Sequence, residues 1–121
     1  METILIVDDS PTLVMMLKRR LGKIGYELYS AENGLDGSRK ALELNPDLVL
    51  MDMNMPVMDG FEATRSLRKQ GYAGLICGLT ASGKEDKKES FLDAGCDHVM
   101  AKPMEPDFEK TIKAILLKEK K

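Results

Sequence analysis

The sequence predicts an α/β protein, a three-layer (βα)5 sandwich whose parallel sheet runs in strand order 2-1-3-4-5. Three observations predict it. Short apolar stretches alternate with helical ones along all 121 residues, which implies a parallel sheet covered on both faces and connected right-handedly. TILIV (Thr3 to Val7), DLVLMD (Asp47 to Asp52) and LICGL (Leu75 to Leu79) are nearly continuous apolar runs, the pattern of strands buried on both faces. YELYSA (Tyr26 to Ala31) is more polar, so it belongs at an edge and strands 1, 3 and 4 at the centre.

Each helix carries its own signals. Ser10 offers an N-cap with Pro11 at the first helical position, and the helix that follows places Leu13, Met16, Leu17, Leu21 and Ile24 on one face before Gly25 ends it. Asn33-Gly34 opens a second helix that runs through Leu44 and stops at Asn45-Pro46. Asp59 and Glu62 form a D-x-x-E capping box for a third helix to about Gln70. The fourth helix, Lys84 to Ala94, is weakly apolar, with Phe91, Leu92 and Ala94 as its candidates for burial. HVMA is a short fifth strand followed by Lys102-Pro103, and Phe108, Ile112, Ile115 and Leu116 give the last helix a clear stripe.

Bulk properties bound the function. The length suits one domain, residues 1–121, with a proper core. Eighteen basic residues against 20 acidic ones give a net charge of −2, without the clustered basic surface that nucleic-acid binding needs. The longest apolar run is five residues, Leu13 to Leu17, far short of a membrane span. METILIVDD lacks the basic start and apolar length of a signal peptide. A cytoplasmic chain is therefore expected. Cys77 and Cys96 have no metal-binding or redox spacing and read as small buried hydrophobes. His98, the single histidine, has no His or Cys partner and reads as structural or exposed. Of the nine methionines, those between Met15 and Met55 fall on first-helix and third-strand positions and read as core filling.

In a sheet of this order ligands bind beyond the carboxyl ends of the strands, at the switch point between strands 1 and 3. The residues at those ends are Asp8, Asp9, Asp52, Thr80 and Lys102. Neighbouring strands lie about 4.8 Å apart, so the three aspartates converge. Two carboxylates at roughly 5 Å repel by about 3 kcal/mol at an effective dielectric near 20. Three cannot stay ionised there cheaply: either they share protons, or a hard cation sits among them. Oxygen donors without His or Cys favour Mg²⁺. Lys102 adds a point positive charge and Thr80 a hydroxyl, both suited to phosphoryl oxygens. Together these describe phosphoryl transfer to a carboxylate. Asp52 is the candidate nucleophile, because it alone ends a central strand with a loop opening around it. Each residue also has a plainer role: Asp8 and Asp9 as helix caps, Thr80 as a strand-end cap, Lys102 as surface charge.

ILIVDDS, LVLMDMNMPVMDG, GLTA and AKP, in that order and each at a strand end, resemble the receiver domain of two-component response regulators, a flavodoxin-like fold. The resemblance covers nearly the whole chain and is nearest to single-domain, chemotaxis-regulator-like receivers. It implies that Asp52 accepts a phosphoryl group from a phosphohistidine on a histidine kinase or phosphotransfer protein. It implies further that Asp9, Asp52 and the backbone carbonyl of Asn54 bind Mg²⁺, with Asp8 acting through water. Thr80 would move to bind the phosphoryl group, Lys102 would pair with it, and the Lys102-Pro103 peptide would be cis. The expected partners are the phosphodonor and a downstream protein target, with no nucleic acid and no membrane, in a monomer or weak dimer that turns over no external substrate.

Two other readings stand beside it. GLTASGKEDKKESFLDAGCDHVMAKP also resembles receivers joined to hybrid sensor kinases, which would make the chain an excised domain. Haloacid-dehalogenase-like phosphatases share the aspartyl nucleophile, Lys, Thr and Mg²⁺. Their nucleophile ends the first strand, however, and their D-x-D general acid is here Asn54. A nucleotide-binding module is excluded, since neither GxGxxG nor a Walker loop is present. One departure from the receiver pattern stands out. The aromatic residue expected three positions before the fifth-strand Lys is Val99, which is stiff at χ1 and has no ring to expose. Signalling is therefore expected to pass through the loop after Thr80 and the weakly apolar fourth helix.

Overall fold

The computed structural model describes residues 2–53, 55, 58–80, 88–102 and 106–119. Strand and helix alternate as β1 (Thr3–Val7), α1 (Pro11–Lys23), β2 (Glu27–Ala31), α2 (Gly34–Leu44), β3 (Leu48–Asp52), α3 (Gly60–Lys69), β4 (Leu75–Thr80), α4 (Lys88–Ala94), β5 (His98–Ala101) and α5 (Phe108–Glu119). The strands form one sheet in the order 2-1-3-4-5, and every pairing is parallel. The flavodoxin-like α/β architecture expected from the sequence is present.

Side chains alternate across a strand, so each central strand feeds two cores. Leu5, Val7, Val49, Met51 and Ile76 face the layer of α2, α3 and α4, where Ala41, Ala63, Leu67 and Phe91 complete one cluster. Ile4, Ile6, Leu48, Leu50, Cys77 and Leu79 face α1 and α5, whose Leu17, Leu21, Phe108 and Ile112 close the other. Every residue of β1 after Thr3, and every residue of β3 and β4, is buried. β2 alternates exposed and half-buried residues along the sheet edge up to Ala31, which is buried.

The caps behave as their chemistry requires. Ser10 Oγ accepts the Leu13 N–H at 3.3 Å ahead of Pro11. Asn33 caps α2 by accepting the Asp36 N–H at 2.9 Å, and Asp59 caps α3 by accepting the Glu62 N–H at 2.9 Å. Gly25, at φ +100°, ends the α1 region in a conformation that suits glycine alone.

Some expectations need correction. Ile24 is exposed, because α1 ends at Lys23 and the backbone of its C-cap Ile24 has left the helical conformation that would continue the stripe. Leu92 is exposed while Phe91 and Ala94 are buried, since only one side of α4 faces the sheet. Met15 points to solvent and fills no core, unlike Met51, Met53 and Met55. The fourth helix was expected from Lys84; residues 84–87 lie outside the described set, and the described part runs Lys88–Ala94. Cys77 and Cys96 are both buried and unbridged, as expected, and His98 is half-buried at the start of β5.

Candidate functional site

The sheet delivers four of the expected residues to one place. Asp8 follows β1 directly, and the β1–β3 register pairs Val7 with Met51, which sets Asp8 level with Asp52 at the end of β3. Asp8, Asp9 and Asp52 each offer a carboxylate oxygen within 4.8 Å of the others. Asp8 and Asp52 are buried, and Asp9 is exposed. Among the described residues this is the one His, Cys, Asp and Glu cluster with such spacing.

Lys102 reaches this cluster from the end of β5. Its Nζ donates to Oδ2 of Asp8 at 2.9 Å and lies 3.4 Å from Oδ1 of Asp52. Asp8 Oδ1 accepts the Ser10 N–H at 2.8 Å, so the bend into α1 fixes this carboxylate from its other side. Burial of Lys102 disfavours its charge, but the hydrogen bond to Asp8 and the charges of Asp52 and Asp8 outweigh that, and its pKa is raised. The ammonium therefore stays charged across the physiological range.

Thr80 is the last residue of β4 and is buried. Its carbonyl accepts the Lys102 N–H at 2.7 Å, which ties the ends of β4 and β5 together at the site. Asn54 and the Lys102-Pro103 peptide, expected as metal ligand and cis bond, involve residues outside the described set.

Two further positions shape the site without a signal from chemistry-bearing side chains. Gly60 begins α3 immediately behind Asp52, and a Cβ there would stand 2.4 Å from the Asp52 carbonyl oxygen and 2.6 Å from Met53 Cα. A Cβ on Gly34, at the start of α2, would stand 2.2 Å from the Met58 carbonyl oxygen. Both glycines let a helix start press against the backbone that follows Asp52. Sequence offered one clue to the first of them. Gly60 directly follows the Asp59 cap, where helix propensity alone disfavours glycine.

The comparisons fall where this geometry points. The family model for the response regulator receiver domain matches residues 4–115. The chain belongs to that family.

This receiver domain is 39% identical to Protein PilH of Pseudomonas aeruginosa over 119 residues, covering 96% of this chain and 98% of that protein. It is 41% identical to the sensor protein EvgS of Escherichia coli K12 over 109 residues, which is 90% of this chain but 9% of EvgS. Relatives thus include both a single-domain protein and a much longer sensor. Among solved structures, chemotaxis protein CheY4 of Vibrio cholerae superposes with a TM-score of 0.87 at 33% identity, covering 94% of this chain and 98% of that one. The receiver domain of sensor histidine kinase PA1611 from Pseudomonas aeruginosa, solved with a magnesium ion in its active site cleft, gives 0.84 at 31% identity over 97% of this chain and 95% of that one. The receiver domain of Ssk1 from Saccharomyces cerevisiae, solved with the histidine phosphotransfer protein Ypd1, gives 0.83 at 27% identity over 90% of this chain and 83% of that one. The chain is a receiver domain of two-component signalling, and among its described residues no helix is long and apolar enough to cross a membrane.

Proposed function

We propose that residues 1–121 act as a single receiver domain in which Asp52 is the phosphoacceptor. The observation that carries this reading is the position of Lys102 Nζ between Asp8 and Asp52, at 2.9 and 3.4 Å, with Asp9 completing the acidic set. An Asp52 carboxylate oxygen attacks the phosphorus of a phosphohistidine. The P–N bond breaks, its electron pair returns to the imidazole, and an acyl phosphate forms on Asp52. Lys102 supplies positive charge where the phosphoryl oxygens collect, and Thr80 a hydroxyl at the same sheet end.

Three carboxylates with no imidazole or thiolate among them suit a hard cation. Asp9, Asp52 and the Asn54 backbone carbonyl would hold Mg²⁺, with Asp8 contributing through water. When bound, the cation offsets the carboxylate charge and takes up phosphoryl oxygens. The phosphodonor is a histidine kinase or phosphotransfer protein of the kind Ssk1 meets in Ypd1. The output is a changed affinity for a downstream protein, in the cytoplasm, from a monomer or weak dimer with no turnover of an external substrate. The likeness to EvgS supports a second reading, in which the same chemistry serves as one relay step within a hybrid sensor kinase.

The test is acid-labile phosphate uptake from acetyl phosphate with Mg²⁺ present. Asp52→Asn should abolish it, and Asp9→Ala should nearly do so. Uptake by Asp52→Asn at the unmodified rate would overturn the assignment of the nucleophile.

A further inference from the structure

Apart from the acidic cluster, a second set of charged contacts meets the chain four to seven positions after Lys102. Arg20, on α1, donates Nε to Oε2 of Glu109 at 2.7 Å and Nη2 to Oε1 at 2.8 Å. Its Nη2 also donates to the Pro106 carbonyl at 2.6 Å. The guanidinium carbon lies 4.6 Å from the centre of the Phe108 ring, which is itself buried. One side chain thus grips Pro106, Phe108 and Glu109, the beginning of α5. The chain between this grip and the site is short: Lys102 precedes Pro106 by four positions. At its near end Lys102 is fastened by its N–H to the Thr80 carbonyl at 2.7 Å.

We propose that Arg20 is a positioning residue for Lys102. A lysine side chain has four rotatable bonds, so where its ammonium rests depends on how firmly its backbone is held. The sheet holds that backbone on one side, and Arg20 holds the chain at Pro106, four positions on, on the other. Arginine suits the task because a bidentate fork, a third N–H to a carbonyl and a stacked face can all be satisfied at once, which lysine cannot do. A half-exposed ion pair adds little stability by itself. The value of this one lies in alignment: α1, which begins beside Asp8, also holds the start of α5, the element that follows Lys102 in the chain.

The inference rests on the proposed role of Lys102, and the experiment separates the two. Beryllofluoride with Mg²⁺ is titrated into the full chain, followed by ¹H–¹⁵N NMR, for the unmodified protein, Arg20→Ala, Arg20→Lys, Lys102→Met and the Arg20→Ala/Lys102→Met double variant. Residues that act through one another depart from additivity, so Arg20→Ala should weaken binding by about threefold to tenfold alone and hardly at all in the double variant. Arg20→Lys keeps the charge and the stem and should fold normally, yet still weaken binding. In the metal-free protein, exchange of the Lys102 N–H should quicken in Arg20→Ala and Arg20→Lys. This exchange decides the matter if Lys102→Met takes binding beyond measurement. An undiminished Arg20 effect in the double variant, or an unchanged Lys102 N–H, overturns the inference. Beryllofluoride binding unaffected by Lys102→Met overturns instead the role assigned to Lys102.

Discussion

Lys102 Nζ and Asp8 Oδ2 lie 2.9 Å apart although 94 residues separate them in the chain. The pair joins the carboxyl ends of β1 and β5, which are not neighbours in the sheet, across the two strands between them. Asp8 is fully buried and anchored by the Ser10 N–H, so it is the fixed member and Lys102 the one that reaches.

Asp8 should matter far more with Mg²⁺ than without. At an effective dielectric near 20, its attraction to Lys102 amounts to about 6 kcal/mol and its repulsion from two carboxylates at about 4.8 Å to about 7 kcal/mol, so the two nearly cancel. Asp8→Asn keeps an acceptor for Ser10 and should shift the metal-free melting temperature by only a few degrees. The unmodified protein should gain about 1.4 kcal/mol at a Mg²⁺ concentration tenfold above its dissociation constant. Calorimetric melts with and without Mg²⁺ should show that gain shrinking in Asp8→Asn. A melting temperature indifferent to millimolar Mg²⁺ would count against a three-carboxylate site.

Gly60→Ala should damage phosphorylation out of proportion to its chemistry. The new methyl would meet the Asp52 carbonyl and Met53 Cα, both backbone, which cannot rotate away. Overpacking of this kind costs about 1–3 kcal/mol. Because the displaced backbone belongs to Asp52 itself, acetyl phosphate uptake should fall even at temperatures where the variant is fully folded by circular dichroism. Normal uptake in a folded variant would show that the carboxylate tolerates the shift.

The two thiols should be silent in the native state. Burial pushes Cys77 up, with Cys96 and Asp97 adding to the effect. Burial likewise raises Cys96 to about 11, partly opposed by its contact with Thr64. At pH 8 a thiol at about 11 is a thiolate on the order of one part in a thousand. A thiol-reactive disulfide reagent should therefore label neither cysteine until denaturant is added. Both folded pKa values lie above the ordinary thiol value of 9.0. The folded state thus holds protons that the unfolded chain releases above that value. Stability should not change on this account below about pH 8, and should fall as the pH rises past about 9.

The α4 region, rather than β5, should report the phosphorylated state. Val99 is half-buried against the core and carries no ring that could swing. The described part of α4 is anchored more firmly than its composition suggested: the Phe91 ring lies 4.9 Å from that of Phe61 at an interplanar angle of 47°, and Arg68 Nε donates to the Gly95 carbonyl at 3.0 Å. Both anchors hold the side and C-terminal end of the described part of the helix. Hydrogen exchange with and without beryllofluoride should change most across Lys88–Ala94, and Phe91→Ala should raise the exchange of that segment before the mimic is added. Changes centred on Val99 with a silent α4 would assign the signal to β5 instead.

The sequence by itself determined the order and kind of elements, the central place of β1, β3 and β4, and the meeting of Asp8, Asp9, Asp52 and Lys102. These follow from local rules: apolar runs mark strands buried on both faces, caps mark helix starts, and a parallel sheet gathers every strand's carboxyl end at one edge. Tertiary structure alone decided which side of each helix is covered. Ile24, Leu92 and Met15 read as core residues in the sequence, yet all three are exposed. It alone decided that Arg20 meets Glu109, 89 residues away, and that Gly34 and Gly60 stand where a single methyl would strike backbone. Periodicity fixes the direction in which a side chain leaves its own element; what it meets there depends on the distance and height of a second element, and no local pattern carries that information.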